Sequence, residues 1–156
     1  MKTALAKGWK WLLGALLGVL GFEGCKDIGI FRAEYGQPHA DYKLLGYVTD
    51  DKGKAIPGIR VVFAPRTDDP DGWYNDTLYT DTRGHFEKER LKYSWPDELQ
   101  NTVIRYEDVD GAENGSYKTL ELKREDFQVK QTKKGDKNWY HGSFTIQADA
   151  ILEKED

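Results

Sequence analysis

From residue 43 onward the apolar residues recur at every second position in short bursts, and each burst ends in Gly, Pro, Asp or Asn. A period of two belongs to a half-buried β-strand, whose successive side chains point to opposite faces. Strands are predicted over 43–49, 59–64, 76–81, 85–88, 102–107, 119–122 and 143–152. The last is the clearest, with Phe144, Ile146, Ala148, Ala150 and Leu152 on one face and Thr145, Gln147 and Asp149 on the other. Asp50-Asp51-Lys52-Gly53 and Thr82-Arg83-Gly84 have turn chemistry, so 43–49 with 59–64, and 76–81 with 85–88, are expected as hairpins, Leu78 and Phe86 facing inward. Only 95–100 and 124–127 read as helical turns. With no sustained helical period the fold class is all-β, about seven strands in an immunoglobulin- or prealbumin-like sandwich, a closed barrel being the alternative.

The first residues follow another rule. Lys2, Lys7 and Lys10 precede an uncharged apolar run from Trp11 to Phe22. As a helix this run rises about 18 Å, well short of a bilayer core of about 30 Å, and it suits the apolar region of a cleaved signal peptide rather than a permanent span. Gly24-Cys25 follows, a small residue before the chain's single cysteine. This resembles a lipobox, in which the cysteine sulfur receives a diacylglyceryl group and the chain is cut before it; Glu23 stands where that motif has a small residue. The expected organisation is a signal peptide over 1–24, a lipid-anchored tether over 25–40 and one sandwich domain over 41–154. Cys25 is the acylation site, carrying palmitate-type chains that hold the protein on the cell envelope, at the outer membrane.

Charge refines this picture. The overall net charge is −4; the three leader lysines and Glu23 contribute +2, so the remainder carries −6. An acidic body excludes nucleic acid as the expected partner. One cysteine allows no intramolecular disulfide.

Two stretches carry resemblances. Gly46-Tyr-Val-Thr-Asp-Asp-Lys-Gly-Lys-Ala-Ile-Pro-Gly-Ile-Arg-Val61 and Thr80-Asp-Thr-Arg-Gly-His-Phe86 are similar to the carboxypeptidase regulatory-like, transthyretin-related sandwich. Glu34-Tyr-Gly-Gln-Pro-His-Ala-Asp-Tyr42, Asp108-Val-Asp-Gly-Ala-Glu-Asn-Gly115 and the leader resemble the radical SAM-associated lipoproteins of Bacteroidetes, and Lys26-Asp27 is similar to the start of their surface-display signal. That resemblance implies an envelope location and a radical SAM enzyme as functional neighbour, and it carries no catalytic residues.

Candidate chemistry is sparse. Asp108, Asp110 and Asn114 gather oxygen ligands around Gly111, the donor set of a Ca²⁺ loop, with a plain acidic turn as the alternative. Asp68-Asp69-Pro70-Asp71-Gly72 is a second acidic turn. Trp73, Tyr74, Trp95, Trp139 and Tyr140 are flat rings near turns of the kind that stack on a sugar or anchor a protein, and Trp73 and Trp139 among them sit in polar, Gly-containing contexts. His39, His85 and His141 share no metal-ligand spacing, and Ser94, Ser116 and Ser143 lie in no nucleophile elbow. The chain is therefore expected to be a non-enzymatic envelope lipoprotein that binds a protein or other ligand. The alternatives are a surface glycan-binding accessory and a metal-dependent enzyme built on the many Tyr and His residues.

Overall fold

The computed structural model describes residues 37–65, 71–95, 99–111, 113–136 and 138–155. The signal peptide, Cys25 and nearly all of the tether lie outside the described residues, as does most of the 68–72 turn. The described part is all-β, with helix confined to two single 3₁₀ turns, Leu99–Asn101 and Arg124–Asp126. These fall within or beside the two segments read as helical turns.

Nine strands are found among the described residues: β1 His39–Asp50, β2 Arg60–Ala64, β3 Asp76–Tyr79, β4 His85–Lys88, β5 Val103–Glu107, β6 Leu120–Lys123, β7 Gln128–Lys134, β8 Tyr140–Gln147 and β9 Ala150–Leu152. They form two sheets. The first runs β4-β1-β8-β7 with β9 also on β1, and the second runs β3-β2-β5-β6. β1 lies parallel to β8 and β9 and antiparallel to β4.

The count exceeds seven for two physical reasons. β7, Gln-Val-Lys-Gln-Thr-Lys-Lys, is an edge strand with one half-buried apolar residue, so it shows no alternation to read. The long terminal strand divides at Ala148-Asp149, where the Asp149 carboxylate accepts the Tyr47 N–H at 2.9 Å in place of a main-chain partner. Its predicted inner face holds: Ile146, Ala148, Ala150 and Leu152 are buried.

Neither expected hairpin forms. β1 and β2 belong to different sheets, as do β3 and β4. The chain does reverse at 50–54, where Asp50 accepts the N–H groups of Lys52 and Lys54 at 3.0 and 2.8 Å and Thr49 bridges Ala55. Pro57, which has no N–H to donate, and Gly58 at φ 79° then send it across to the second sheet. Buried Thr80 ties the next crossing, its hydroxyl donating to the Ile56 carbonyl at 2.8 Å and accepting the Ile59 N–H at 3.0 Å.

One core joins the layers. Tyr42, Leu44, Val48, Phe86 and Ile146 from the first sheet meet Val61, Phe63, Ile104 and Tyr106 from the second. The Phe86 ring stands edge-on to Tyr106 at 6.0 Å. Tyr106 donates its hydroxyl to the Ala148 carbonyl at 2.8 Å, and burial pushes that hydroxyl well above the usual phenol range. Gly46 leaves room for this joint, since a Cβ there would run into the Ala148 carbonyl and the Phe86 ring.

Candidate functional site

Because β1 buries its even-numbered residues, its odd-numbered residues form the outer face of the first sheet. Directly paired residues on neighbouring strands share a face, so two rows cross the sheet. One runs Asp41, Ser143, Lys133 and the next Lys43, Thr145, Lys130. A bulge on each side of this region, between His39 and Asp41 and between Gln131 and Lys133, brings Tyr140 and Thr132 in beside the first row. Gly142, at φ 115°, serves the bulge, because a Cβ there would meet the Lys133 carbonyl.

Tyr140 is the centre of the arrangement. Its hydroxyl donates to Asp41 Oδ2 at 3.0 Å and lies 2.7 Å from Ser143 Oγ, which is then the donor to the phenol oxygen. Its ring lies 5.3 Å from the His39 ring, and Lys133 Nζ sits 5.6 Å from its centroid, within cation–π range. The hairpin that delivers it is set by Asp136, whose carboxylate accepts the N–H groups of Asn138 and Tyr140 at 2.9 and 3.2 Å. The Asn138 N–H chiefly holds that carboxyl below its usual range.

Two shallow cavities lie near this residue. One, of about 280 Å³, is lined by Gly135, Asn138, Tyr140 and His141. The other, of about 220 Å³, is lined by Asp41, Lys43, Glu89, Arg90, Thr132, Ser143, Phe144 and Thr145. The Tyr140 ring walls the first, and its hydroxyl bonds two residues of the second. Lys43 is held by Glu87 and by Glu89 at 2.7 Å, which raises its pKa, the Glu87 contact first. The surface is hydroxyl-rich and carries both hydrogen-bond donors and a carboxylate acceptor.

The residues singled out from sequence fall elsewhere or at the margin. Trp73 is 78% exposed in the turn entering β3, at the edge of the second sheet, while Trp139, 36% exposed, directly precedes β8 in the first. No ring contact joins the two among the described residues. Asp108, Asp110 and Asn114 come together as an internally bonded turn. Asn114 donates to Asp110 Oδ2 at 2.6 Å, and Asp108 accepts the N–H groups of Asp110 at 3.3 Å and Tyr117 at 3.0 Å. Among the described residues no group of three or more His, Cys, Asp or Glu is placed to hold a metal ion. The His85 ring lies tilted against Tyr47 at 4.9 Å, distant in register from His39 beside Tyr140.

Tyr140 was among the aromatic residues noted in the sequence and Ser143 was weighed only as a nucleophile, whereas Asp41, Thr145 and Arg90 were not singled out as site residues. The one local sign was Gly142 inside an otherwise extended polar-apolar run, the mark of a bulge.

No family model matches the chain, and no curated protein matches its sequence. Among solved structures it is similar to hydroxyquinol 1,2-dioxygenase from Pseudomonas putida DLL-E4, with a TM-score of 0.45 and 13% identity over 92% of this chain and 71% of that one. That neighbour is an enzyme, so the expectation of a non-enzymatic chain is corrected and withdrawn. At such a distance the likeness lends this chain no reaction.

Proposed function

We propose that the chain is a cell-envelope lipoprotein, anchored through acylated Cys25, whose two-sheet domain binds a hydroxyl-rich glycan on the outer face of the first sheet. The observation that carries the binding reading is Tyr140, which lines one open cavity and whose hydroxyl is held between Asp41 and Ser143, two residues that line another. Sugars are recognised by side chains that fix several hydroxyls at once beside an aromatic edge, and this face offers Asp41, Ser143 and Thr145 around one phenol. Support for the anchor comes from the Lys-rich start, the apolar run too short to span, and Gly24-Cys25. The resemblance to radical SAM-associated lipoproteins favours the same location and a radical SAM enzyme as functional neighbour.

Two measurements test the reading. Intact mass of the protein from its native cells should show a chain starting at Cys25 and bearing acyl groups; an unacylated chain that keeps residues 1–24 overturns the anchor. On a glycan array the full chain should bind, and Tyr140→Phe, which removes only the hydroxyl, should weaken the signal. An identical profile for that variant overturns the site.

A further inference from the structure

The outer face of the first sheet holds three cations without a carboxylate partner among the described residues, Lys133 having only the Tyr140 ring beside it. Among the described residues no carboxylate lies within 4.0 Å of Arg90, Lys130 or Lys133, although Lys43 in the same row is paired to Glu87 and Glu89. In a chain that is acidic as a whole, at −4, the cavity is charge-balanced, Asp41 and Glu89 against Lys43 and Arg90, and Lys130 and Lys133 add positive charge on β7. Arg90 lines the same cavity as Asp41, Ser143 and Thr145. Lys130 and Lys133 stand beside it in register with Thr145 and Ser143.

We propose that the glycan taken by this face is acidic: a uronate-type sugar whose carboxylate lies against Arg90 and whose hydroxyls lie on Asp41, Ser143 and Thr145, with Lys130 and Lys133 farther across the sheet on β7 facing the continuing chain. The inference rests on the glycan reading above and narrows it. A guanidinium offers a planar fork that matches a carboxylate in two parallel hydrogen bonds. Asp41 sharpens the choice. Its Oδ2 accepts from Tyr140, and its Oδ1 takes no hydrogen bond among the described residues, so it is open to a hydroxyl donor. Its charge disfavours an anionic group at that point, so the ligand's carboxylate belongs on the Arg90 side and a hydroxyl at Asp41. One carboxylate together with neighbouring hydroxyls satisfies both demands, whereas inorganic phosphate supplies the charge without an array of donors. The two β7 lysines raise the local concentration of an anionic chain in a salt-dependent way.

Calorimetric titration of the detergent-solubilised full chain with an oligogalacturonate, and with the same oligosaccharide after reduction of its carboxyls, tests this. The acidic oligomer should bind and the reduced one bind at least about tenfold more weakly, the loss expected for one charge-assisted contact. Arg90→Ala should weaken the acidic oligomer roughly tenfold to a hundredfold. Arg105→Ala, on the opposite sheet, should leave it unchanged. Equal binding of the acidic and reduced oligomers overturns the acidic preference and leaves the glycan reading standing. No binding of either one, together with a silent glycan array, overturns both. Inorganic phosphate or vesicles rich in anionic lipid competing as well as the oligogalacturonate would mark a general polyanion or membrane surface, and would overturn the proposal.

Discussion

The two outer faces of this molecule obey the same alternation and differ in how their charges are arranged. On the second sheet, Arg60 pairs with Glu107 at 2.5 Å and Arg105 with Glu121 at 2.7 Å, while Arg105 also lies 3.8 Å from Glu107. The result is a ladder across β2, β5 and β6 in which Arg60 and Arg105 are both paired, Lys123 alone on that face of β6 having no carboxylate partner among the described residues. On the first sheet Lys43 is closed in the same way, but Arg90, just beyond β4, and Lys130 and Lys133, on β7, have no carboxylate partner among the described residues, with a hydroxyl cluster on the strands between. A closed ladder is a solvated surface with nothing to offer. An open one beside a cavity is where an external group can complete the pairing.

The most severe way to break the comparison is to remove the core both faces share. Phe86 is 2% exposed and reaches across to Tyr106. Phe86→Ala should destabilise the fold by about 3–5 kcal/mol, read as a fall in the chemical-denaturation midpoint, with glycan binding lost alongside. Tyr106→Phe is milder. It keeps the ring and strands the Ala148 carbonyl, so about 1–3 kcal/mol should go, while binding persists wherever the fold does.

Next come the turn carboxylates. Asp50, Asp81 and Asp136 each have a lowered pKa, caused first by the backbone N–H groups of Lys54, His85 and Asn138 respectively. A carboxyl whose folded pKa is depressed stabilises the fold above its unfolded pKa of about 3.9, and loses that contribution as pH falls through the folded value. Thermal midpoints should therefore fall as pH drops below about 4. Asp81→Asn should flatten part of that slope, and a slope left untouched by the variant would contradict the turn's role.

What could be read in advance follows the same division. The second sheet and the inner faces were legible because burial imposes alternation: Val61, Phe63, Ile104, Tyr106 and Ile146 all lie where the period of two puts them. The layer crossings were not. A turn such as Thr82-Arg83-Gly84 has the same chemistry whether the chain returns beside itself or passes to the opposite sheet, and only pairing partners far away in sequence decide. The site was hidden for the same reason. Tyr140 and Asp41 are 99 positions apart, and they meet because β8 lies parallel to β1. β7 gave no signal at all, since an edge strand of Gln, Thr and Lys has little to bury. The tryptophans drew notice as large rings in polar contexts, yet Trp73 ended in a turn of the other sheet.

The smallest effect is the one that isolates the charge argument. Glu107 serves both Arg60 and Arg105, and the three side chains are partly exposed at 20%, 42% and 45%. Solvent screening at that exposure limits the pair to at most about 1 kcal/mol, so Glu107→Gln should shift the unfolding midpoint barely or not at all. It would nonetheless open the ladder, leaving two arginines with less compensation on a face where Tyr79 and Thr77 are the nearby hydroxyls in register and no counterpart of the network of Asp41, Tyr140 and Ser143 is found among the described residues. Titration with the same oligogalacturonate should then show the affinity of the first sheet unchanged and no second class of tight sites. Were a comparable new site to appear, bare cations alone would suffice for binding, and the hydroxyl network around Tyr140 would lose its part in the distinction between the faces.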